Sequence, residues 1–411
     1  MIRCPQVSFH RAANWRNLAA GCGAVVMLLI SLPVSARLIP LGETVFPELP
    51  ANPFIGLAPL AGRGVVVAWL EADHQVLRAR ELEADLSERR DFDVVDSRGG
   101  PPTVLLCPQA ARIGQGRLAF AWIVFSQAAP RLRVAYRVMN EDGSPRSPIR
   151  FAEGESPRLD EGCPHLSGGE TGFVIAWNLP VHPVGLDFRL RARTFSVTGV
   201  PTSPPVDLGI SEGVTFPPDV VFGRDGGFVA AWTLVRDSGD ANQLVLGRFG
   251  RDGTPIERPV LVATRVQELI AFTAGTQSGS EVIWAVRETD SRRTLKARRF
   301  DRDLRAMTPE RTVYMSENQV AIPTAAVGQK ARTALIVSEG GVVNGVELDP
   351  LLARRCGAAI RVSADFPQGY FPVVVSSPGE VVVAGVETAA EPYRPTVVVR
   401  RYRLGACDSA P

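Results

Sequence analysis

Acid–base and nucleophilic chemistry draws on histidine, cysteine and paired carboxylates. This chain of 411 residues offers four histidines and six cysteines. His74 follows Glu71-Ala72-Asp73, and His182 lies in a polar stretch that begins at Asn178 and ends at Asp187. Either could exchange a proton with a neighbouring carboxylate. A third polar stretch, Arg236-Asp237-Ser238-Gly239-Asp240-Ala241-Asn242, sets oxygen donors at the close spacing a hard cation accepts. Asp237, Asp240 and Asn242 would be its ligands, and calcium is the cofactor they would suit. The stretch lacks the full alternation of a dedicated calcium loop, and Asp and Gly serve tight turns equally well. Glu288 and Arg292 share a fourth stretch, with Arg287, Asp290 and Arg293. Tyr393 lies in a fifth, with Glu387, Glu391 and Arg394. None of these groups forms a recognisable catalytic constellation, and no Cys/His cluster has zinc spacing.

These stretches share one position in a repeat, and the repeat dictates what must hold them. An apolar run ending in Trp occurs at Val65–Trp69, Leu118–Trp122, Phe173–Trp177 and Phe228–Trp232, with a worn copy at Val282-Ile283-Trp284. Two further copies lack the Trp, Thr333–Val337 and Val381–Gly385. The five Trp stand 53, 55, 55 and 52 residues apart, and seven copies averaging about 54 residues account for the chain beyond residue 36. Each run is preceded by a Pro-led strand such as Pro217–Phe222. Each is followed by the variable polar stretch and then an alternating strand with Arg, such as Leu190–Phe195. A hairpin such as Arg251-Asp252-Gly253 and a short fourth strand close the unit.

Four strands per unit at this period make a propeller blade, so the expectation is an all-β, seven-bladed β-propeller. The second strand, covered on both faces by neighbouring blades, should read as a continuous apolar run, and it does. Ala68, Ala121, Ala176 and Ala231 each precede the Trp. A small residue beside a large one lets twisted sheets approach closely. The last unit stops after its third strand, Val397–Leu404, while Arg37–Leu41 matches a fourth strand. The N-terminal segment should therefore complete the seventh blade and close the ring, removing exposed sheet edges. On such a ring the variable stretches are the 2→3 loops. They gather with the 4→1 loops at one end of the central channel, the default place for a ligand.

The pattern apolar-Val-Ala-Trp, polar loop, Arg-x-Phe, Asp-Gly turn resembles the repeats of secreted bacterial β-propeller proteins, many of unknown function. The resemblance covers nearly all of the chain after residue 36. It implies the fold and leaves the activity open, since propellers host enzymes, lectins and scaffolds alike.

Residues 1–36 read as a secretory signal, with Arg3, Arg11 and Arg16 ahead of the uncharged run Leu18–Leu32 and a Val34-Ser35-Ala36 cleavage pattern. Residues 37–411 then form the propeller domain, periplasmic or extracellular, with no later segment of membrane-spanning length. Composition is ordinary for a globular chain, and a net charge of +2 gives no field for nucleic acid. Cys107, Cys163, Cys356 and Cys407 remain after cleavage, and an oxidising compartment permits disulfides in three connectivities. Cys107-Pro108 and Cys163-Pro164 share a place on the first strands of adjacent units, which suggests the pairs 107–163 and 356–407. Equivalent sites on outer strands would stand too far apart for a bridge, so free thiols are the competing reading.

The functional expectation is an exported monomeric propeller that binds a protein or glycan through its loops without catalysis. Candidate ligand-binding residues are Asp73, His74, His182, Asp237, Asp240, Glu288, Arg292 and Tyr393. The alternative is a glycan-acting hydrolase or lyase using loop carboxylates or His74 and His182. The Ser-x-Asp-x-Gly-x-Thr turns of sialidase-type propellers do not occur.

Overall fold

The computed structural model describes residues 39–46, 55–71, 73–100, 103–126, 129–153, 162–182, 187–213, 216–235, 242–276, 279–288, 292–316, 321–327, 332–339, 342–353, 360–363, 373–377, 379–388 and 395–404. Residues 1–36, expected to be a secretory signal, lie outside them, as do Asp237, Asp240, Tyr393, Cys356 and Cys407. The described chain forms seven antiparallel sheets of four strands. Strand β1 is Ile39–Phe46. Blade I holds β2 Gly56–Pro59, β3 Val65–Leu70, β4 Val76–Leu82 and β5 Glu88–Asp96. Blade II holds β6 Thr103–Ile113, β7 Arg117–Ser126, β8 Ala129–Asn140 and β9 Arg150–Phe151. Blade III holds β10 His165–Gly169, β11 Gly172–Pro180, β12 Asp187–Ser196 and β13 Val206–Glu212. Blade IV holds β14 Asp219–Phe222, β15 Phe228–Leu234, β16 Gln243–Phe249 and β17 Val260–Thr264. Blade V holds β18 Val266–Thr276, β19 Gly279–Arg287, β20 Arg293–Asp301 and β21 Arg311–Ser316. Blade VI holds β22 Ala321–Val327, β23 Thr333–Glu339, β24 Val342–Leu348 and β25 Ile360–Ser363. Blade VII is β26 Val373–Ser377, β27 Glu380–Thr388 and β28 Pro395–Arg403, completed by β1 as its fourth strand.

The ring is closed as its repeat requires. First strands touch in succession from β2 through β6, β10, β14, β18 and β22 to β26, and β26 returns to β2. They therefore surround the axis. Antiparallel pairing of β1 with β28, from Ile39 opposite Arg403 to Phe46 opposite Val397, fills the last edge. Among the described residues no helix is long and apolar enough to cross a membrane.

Packing between blades follows the alternation of side chains across each second strand. Trp122 lies in one core with Val66 and Ala68 of blade I, while Ala121 lies in another with Trp177 of blade III. The same small-against-large match pairs Ala176 with Trp232, Ala231 with Trp284 and, across the closure, Ala384 with Trp69. The Trp of each blade thus faces the preceding blade and the Ala faces the next. All six residues of Val65–Leu70 are buried, as a strand covered on both faces must be.

Fourth strands carry a recurring bulge. The partner register skips Val94, Leu208, Val262 and Val313 in blades I, III, IV and V. All four skipped residues are buried. A bulge re-aims a side chain, and here it turns an apolar one inward from an otherwise polar outer strand.

Arginines on the third strands tie neighbouring blades at the end away from the 2→3 loops. Arg137 donates to Ser147 O in its own blade and to Val94 O in the preceding one, and Arg193 does the same with Ser203 O and Ala152 O. A second set reaches forward. Arg248 Nη1 donates to Arg302 O at 2.9 Å, and Arg299 donates to Pro350 O. Arg299 is itself paired with buried Glu281, which also accepts from Thr333 Oγ1 at 2.8 Å. In blades II to V the third-strand Arg is therefore framework. Its fork satisfies carbonyls that the blade edges leave over.

Candidate functional site

Each first strand begins, and each second strand ends, at the end of the ring that carries the 2→3 loops. Directly opposite the Ala of the second strand stand Gly56, Gln109, His165 and Asp219 in blades I to IV. Gly56, His165 and Asp219 head their innermost strands, while Gln109 lies within β6, just past its register jump. Two of them form an ion pair between blades: His165 Nε2 lies 3.0 Å from Asp219 Oδ1, with the side chains 24% and 14% exposed. Val220 N donates to His165 Nδ1 at 3.3 Å, and Phe222 N donates to Ser167 Oγ at 3.0 Å. Side chains of β10 thereby satisfy the edge N–H groups of β14, which has no ladder partner on that side.

Burial disfavours the charged imidazole, but the charge and hydrogen bond of Asp219 outweigh it and hold the His165 pKa above its ordinary value. Protonation would also cost the Val220 bond, because Nδ1 then carries a proton of its own. That bond is the longer of the two contacts, so Asp219 prevails. Both ring nitrogens are engaged in the neutral form. The pair is built to hold blades III and IV together and offers no open nitrogen as a general base.

Beside this pair, Cys107 and Cys163 form a disulfide with Cα atoms 5.5 Å apart. The expected obstacle falls away because the first strands are the innermost ones, and equivalent positions on them converge at the axis. Cys107 has φ +52°, the left-handed region, and sits where the β6 register jumps between Leu106 and Gln109.

The remaining titratable groups at this end are largely paired with each other. Arg78 lies 2.9 Å from Glu71 and 3.1 Å from Asp93. Arg98 bonds Asp96 and holds its carboxyl down at about 2. Arg191 bridges Glu153 and Asp207, the latter at 2.8 Å. Burial pushes the Glu153 carboxyl up, with Arg191 pulling against it.

Of the loop residues expected from sequence, Asp73 is exposed and its Oδ1 accepts from Gln75 N at 3.0 Å. His74 is a turn residue at φ +54°, its carbonyl accepting from Leu105 N of blade II and its Nδ1 buried without a hydrogen-bond partner. His182 and Glu288 are exposed. Glu288 N donates to Arg292 O, and Arg292 reaches Met315 Sδ at 3.2 Å. The structure therefore joins Glu288 with Arg292 through the backbone, and sets His74 and His182 on different blades, I and III. Asn242 Oδ1 is buried without a hydrogen-bond partner. Among the described residues no three His, Cys, Asp or Glu side chains converge on a metal position.

Two features escape a strand-by-strand reading. The His165–Asp219 pair is one, although Pro164-His165 and Pro218-Asp219 occupy the same column of adjacent units. The other is Gly209-Ile210-Ser211-Glu212-Gly213, which has the letters of a Gly-x-Ser-x-Gly nucleophile motif. It lies largely on β13, an outer strand with no elbow into a helix. Ser211 is buried, and its Oγ accepts from Val235 N at 2.9 Å.

No protein-family model and no curated protein sequence matches the chain. Solved structures do share its fold. An α-L-arabinofuranosidase of family GH93 from Fusarium graminearum, in complex with arabinobiose, is 11% identical over 88% of this chain and 97% of its own, at a TM-score of 0.51. A protein of unknown function from Dyadobacter fermentans is 10% identical over 90% of this chain and 98% of its own, at 0.47. The Trypanosoma rangeli sialidase is 11% identical over 87% of this chain and 59% of its own, at 0.46. At these identities the likeness is one of fold: the chain is a seven-bladed β-propeller.

Proposed function

We propose that the protein is an exported binding propeller that engages a protein or a glycan through its loop-bearing end without chemistry on it. One observation carries this reading. The described titratable groups that face one another there are tied into framework pairs, led by His165 with Asp219 and Arg191 with Glu153 and Asp207. Exposed Asp73, His182 and Glu288 are left on the loops to make reversible contacts. The Cys107–Cys163 bridge fits an oxidising, exported environment. Calcium belongs to the same proposal, because Asn242 Oδ1 is a buried acceptor without a hydrogen-bond partner beside the Asp237–Asp240 segment. Capture from the native envelope fraction, with wild type against Asp73→Ala/His182→Ala/Glu288→Ala, tests it. Loss of the captured partner supports the reading, and unchanged capture removes it. A chelator that leaves the melting temperature unmoved removes calcium.

A glycan-acting hydrolase is the second reading, favoured by the upward push on the Glu153 carboxyl, a property of a general acid. The fold likeness to an arabinofuranosidase makes arabinobiose the first substrate to try. Turnover that Glu153→Gln abolishes would establish it over the binding reading.

A further inference from the structure

On each third strand, the residue opposite the position three before the Trp column faces the next blade. In four blades it is a hydrogen-bond donor. Thr194 of blade III donates to Arg251 O at 2.8 Å, Arg248 of blade IV to Arg302 O at 2.9 Å, and Arg299 of blade V to Pro350 O. Each acceptor is the carbonyl two residues before the left-handed residue of the next blade's 3→4 hairpin, Gly253, Leu304 or Leu352. Arg401 of blade VII likewise reaches the hairpins of blade I, at Arg63 O and Glu83 O. Blade II fills the position with Val138, and blade VI with Glu347, which lies 3.6 Å from Arg332. Blade VII takes its fourth strand from β1, so no 3→4 hairpin of that blade stands opposite Glu347.

In blade I the position holds Glu81, opposite Val66. Leu77 and Ala79 share its face of β4 and pack in one core with Trp122 of blade II. The counterpart acceptor is Glu141 O, two residues before Gly143 at φ +80°. That hairpin sits hard against blade I, since a Cβ on Gly143 would stand 2.8 Å from Phe92 Cγ. Glu81 is wholly buried, and neither carboxyl oxygen has a hydrogen-bond partner. Arg89 and Arg90 lie 3.7 and 3.8 Å from Oε2, beyond hydrogen-bond reach, with their side chains partly in solvent. Glu83 stands 3.4 Å from Arg89, and the Glu141 carboxylate lies 3.6 Å from Arg112. Burial pushes the Glu81 carboxyl up, Arg90 and Arg89 pull it down, and Glu141 and Glu83 push with burial. An ionised carboxylate only accepts, and here it would face a carbonyl that also only accepts. A protonated one has the O–H that Thr194 supplies two blades on.

We propose that Glu81 is a proton-operated latch between blades I and II, donating from its protonated carboxyl to Glu141 O and releasing that bond on ionisation. The proton comes from solvent and returns to it. A carboxyl whose folded pKa is raised stabilises the fold below its ordinary value, and that stability is lost as pH climbs through the raised one. Glutamine has the same shape and donates at every pH. Melting temperatures of wild type and Glu81→Gln are compared from pH 5 to pH 8. The variant should match wild type at pH 5 and exceed it by about 2 °C at pH 8. A Glu81 that serves as an ionised partner of Arg89 and Arg90 gives the opposite sign. The variant is then the weaker at pH 8 and catches up on acidification. That result, or a difference that stays flat, overturns the proposal. Glu141→Gln keeps the acceptor carbonyl and should keep the pH dependence of wild type. Its loss there moves the titration to Glu141 and also overturns the proposal. Should Glu81→Gln fail to fold by circular dichroism, hydrogen exchange of the wild type decides. The amides of Glu141 and Gly143 should lose protection, relative to their intrinsic rates, from pH 5 to pH 8. Constant protection overturns the latch.

Discussion

Ile283 of blade V shares a core with Val337 of blade VI, at the position where five other blade pairs place Ala against Trp. The loss of Trp from blade VI is therefore matched by a gain of bulk in blade V. At the next interface the alternation of β23 turns Ile336 toward blade VII, where Gly385 holds the Trp column. The sum of small and large is kept while its distribution changes, which is how a tightly packed interior tolerates substitution.

This match makes a prediction about pairs of changes. Val337→Trp alone should destabilise the protein by about 1–3 kcal/mol through overpacking against Ile283. Adding Ile283→Ala should recover most of that loss. Denaturant melts of both variants check it, and equal stability of single and double variants would refute the volume argument.

The Cys107–Cys163 bridge joins residues 56 apart in sequence. Restricting the unfolded chain over a loop of that length contributes about 4 kcal/mol in the chain-entropy account. Cys107→Ser/Cys163→Ser should lower stability by a comparable amount, and reduction of the wild type should reproduce the loss. Melts with and without reductant give the measurement.

The His165–Asp219 pair gives a pH dependence whose sign is fixed. The folded pKa of His165 is raised by Asp219 against burial. Its contribution is complete below about pH 6.5, the ordinary histidine value, and is lost as pH climbs through the raised one. In Asp219→Asn, burial acts unopposed, and the imidazole should titrate below its ordinary value. Histidine proton NMR across neutral pH separates the two outcomes.

Arg299 and Glu281 are both nearly inaccessible, and burial pushes the Glu281 carboxyl up although Arg299 pulls it down. Arg299→Leu strands a buried carboxylate and should cost about 3–5 kcal/mol. With its partner gone, Glu281 rises further, so the variant should regain stability on acidification while it remains folded. A melting temperature of the variant that falls from pH 7 to pH 5 as steeply as that of the wild type would contradict this.

The architecture was legible because Trp69, Trp122, Trp177, Trp232 and Trp284 mark one column of the repeat, and Ala marks the column beside it. Blades VI and VII could be placed only by period, since Val337 and Gly385 carry no such mark and their meaning lies in the neighbour they face. The bridge between Cys107 and Cys163 looked distant until the first strands proved to be the inner ones. His165 and Asp219 were hidden for a different reason. Each is ordinary within its own unit, and the pair exists only where two units meet.

The pairing of β1 with β28 has a mechanical consequence. Ile39 and Arg403 face each other at one end of that pair, so the two ends of the described chain leave side by side. Tension between them loads the hydrogen bonds one at a time, from Ile39–Arg403 toward Phe46–Val397, as in a zipper being pulled open. The other six sheets are continuous runs of chain and feel no such peeling force at first. The join in blade VII should act as a low-force fuse that opens the circle before any other blade yields.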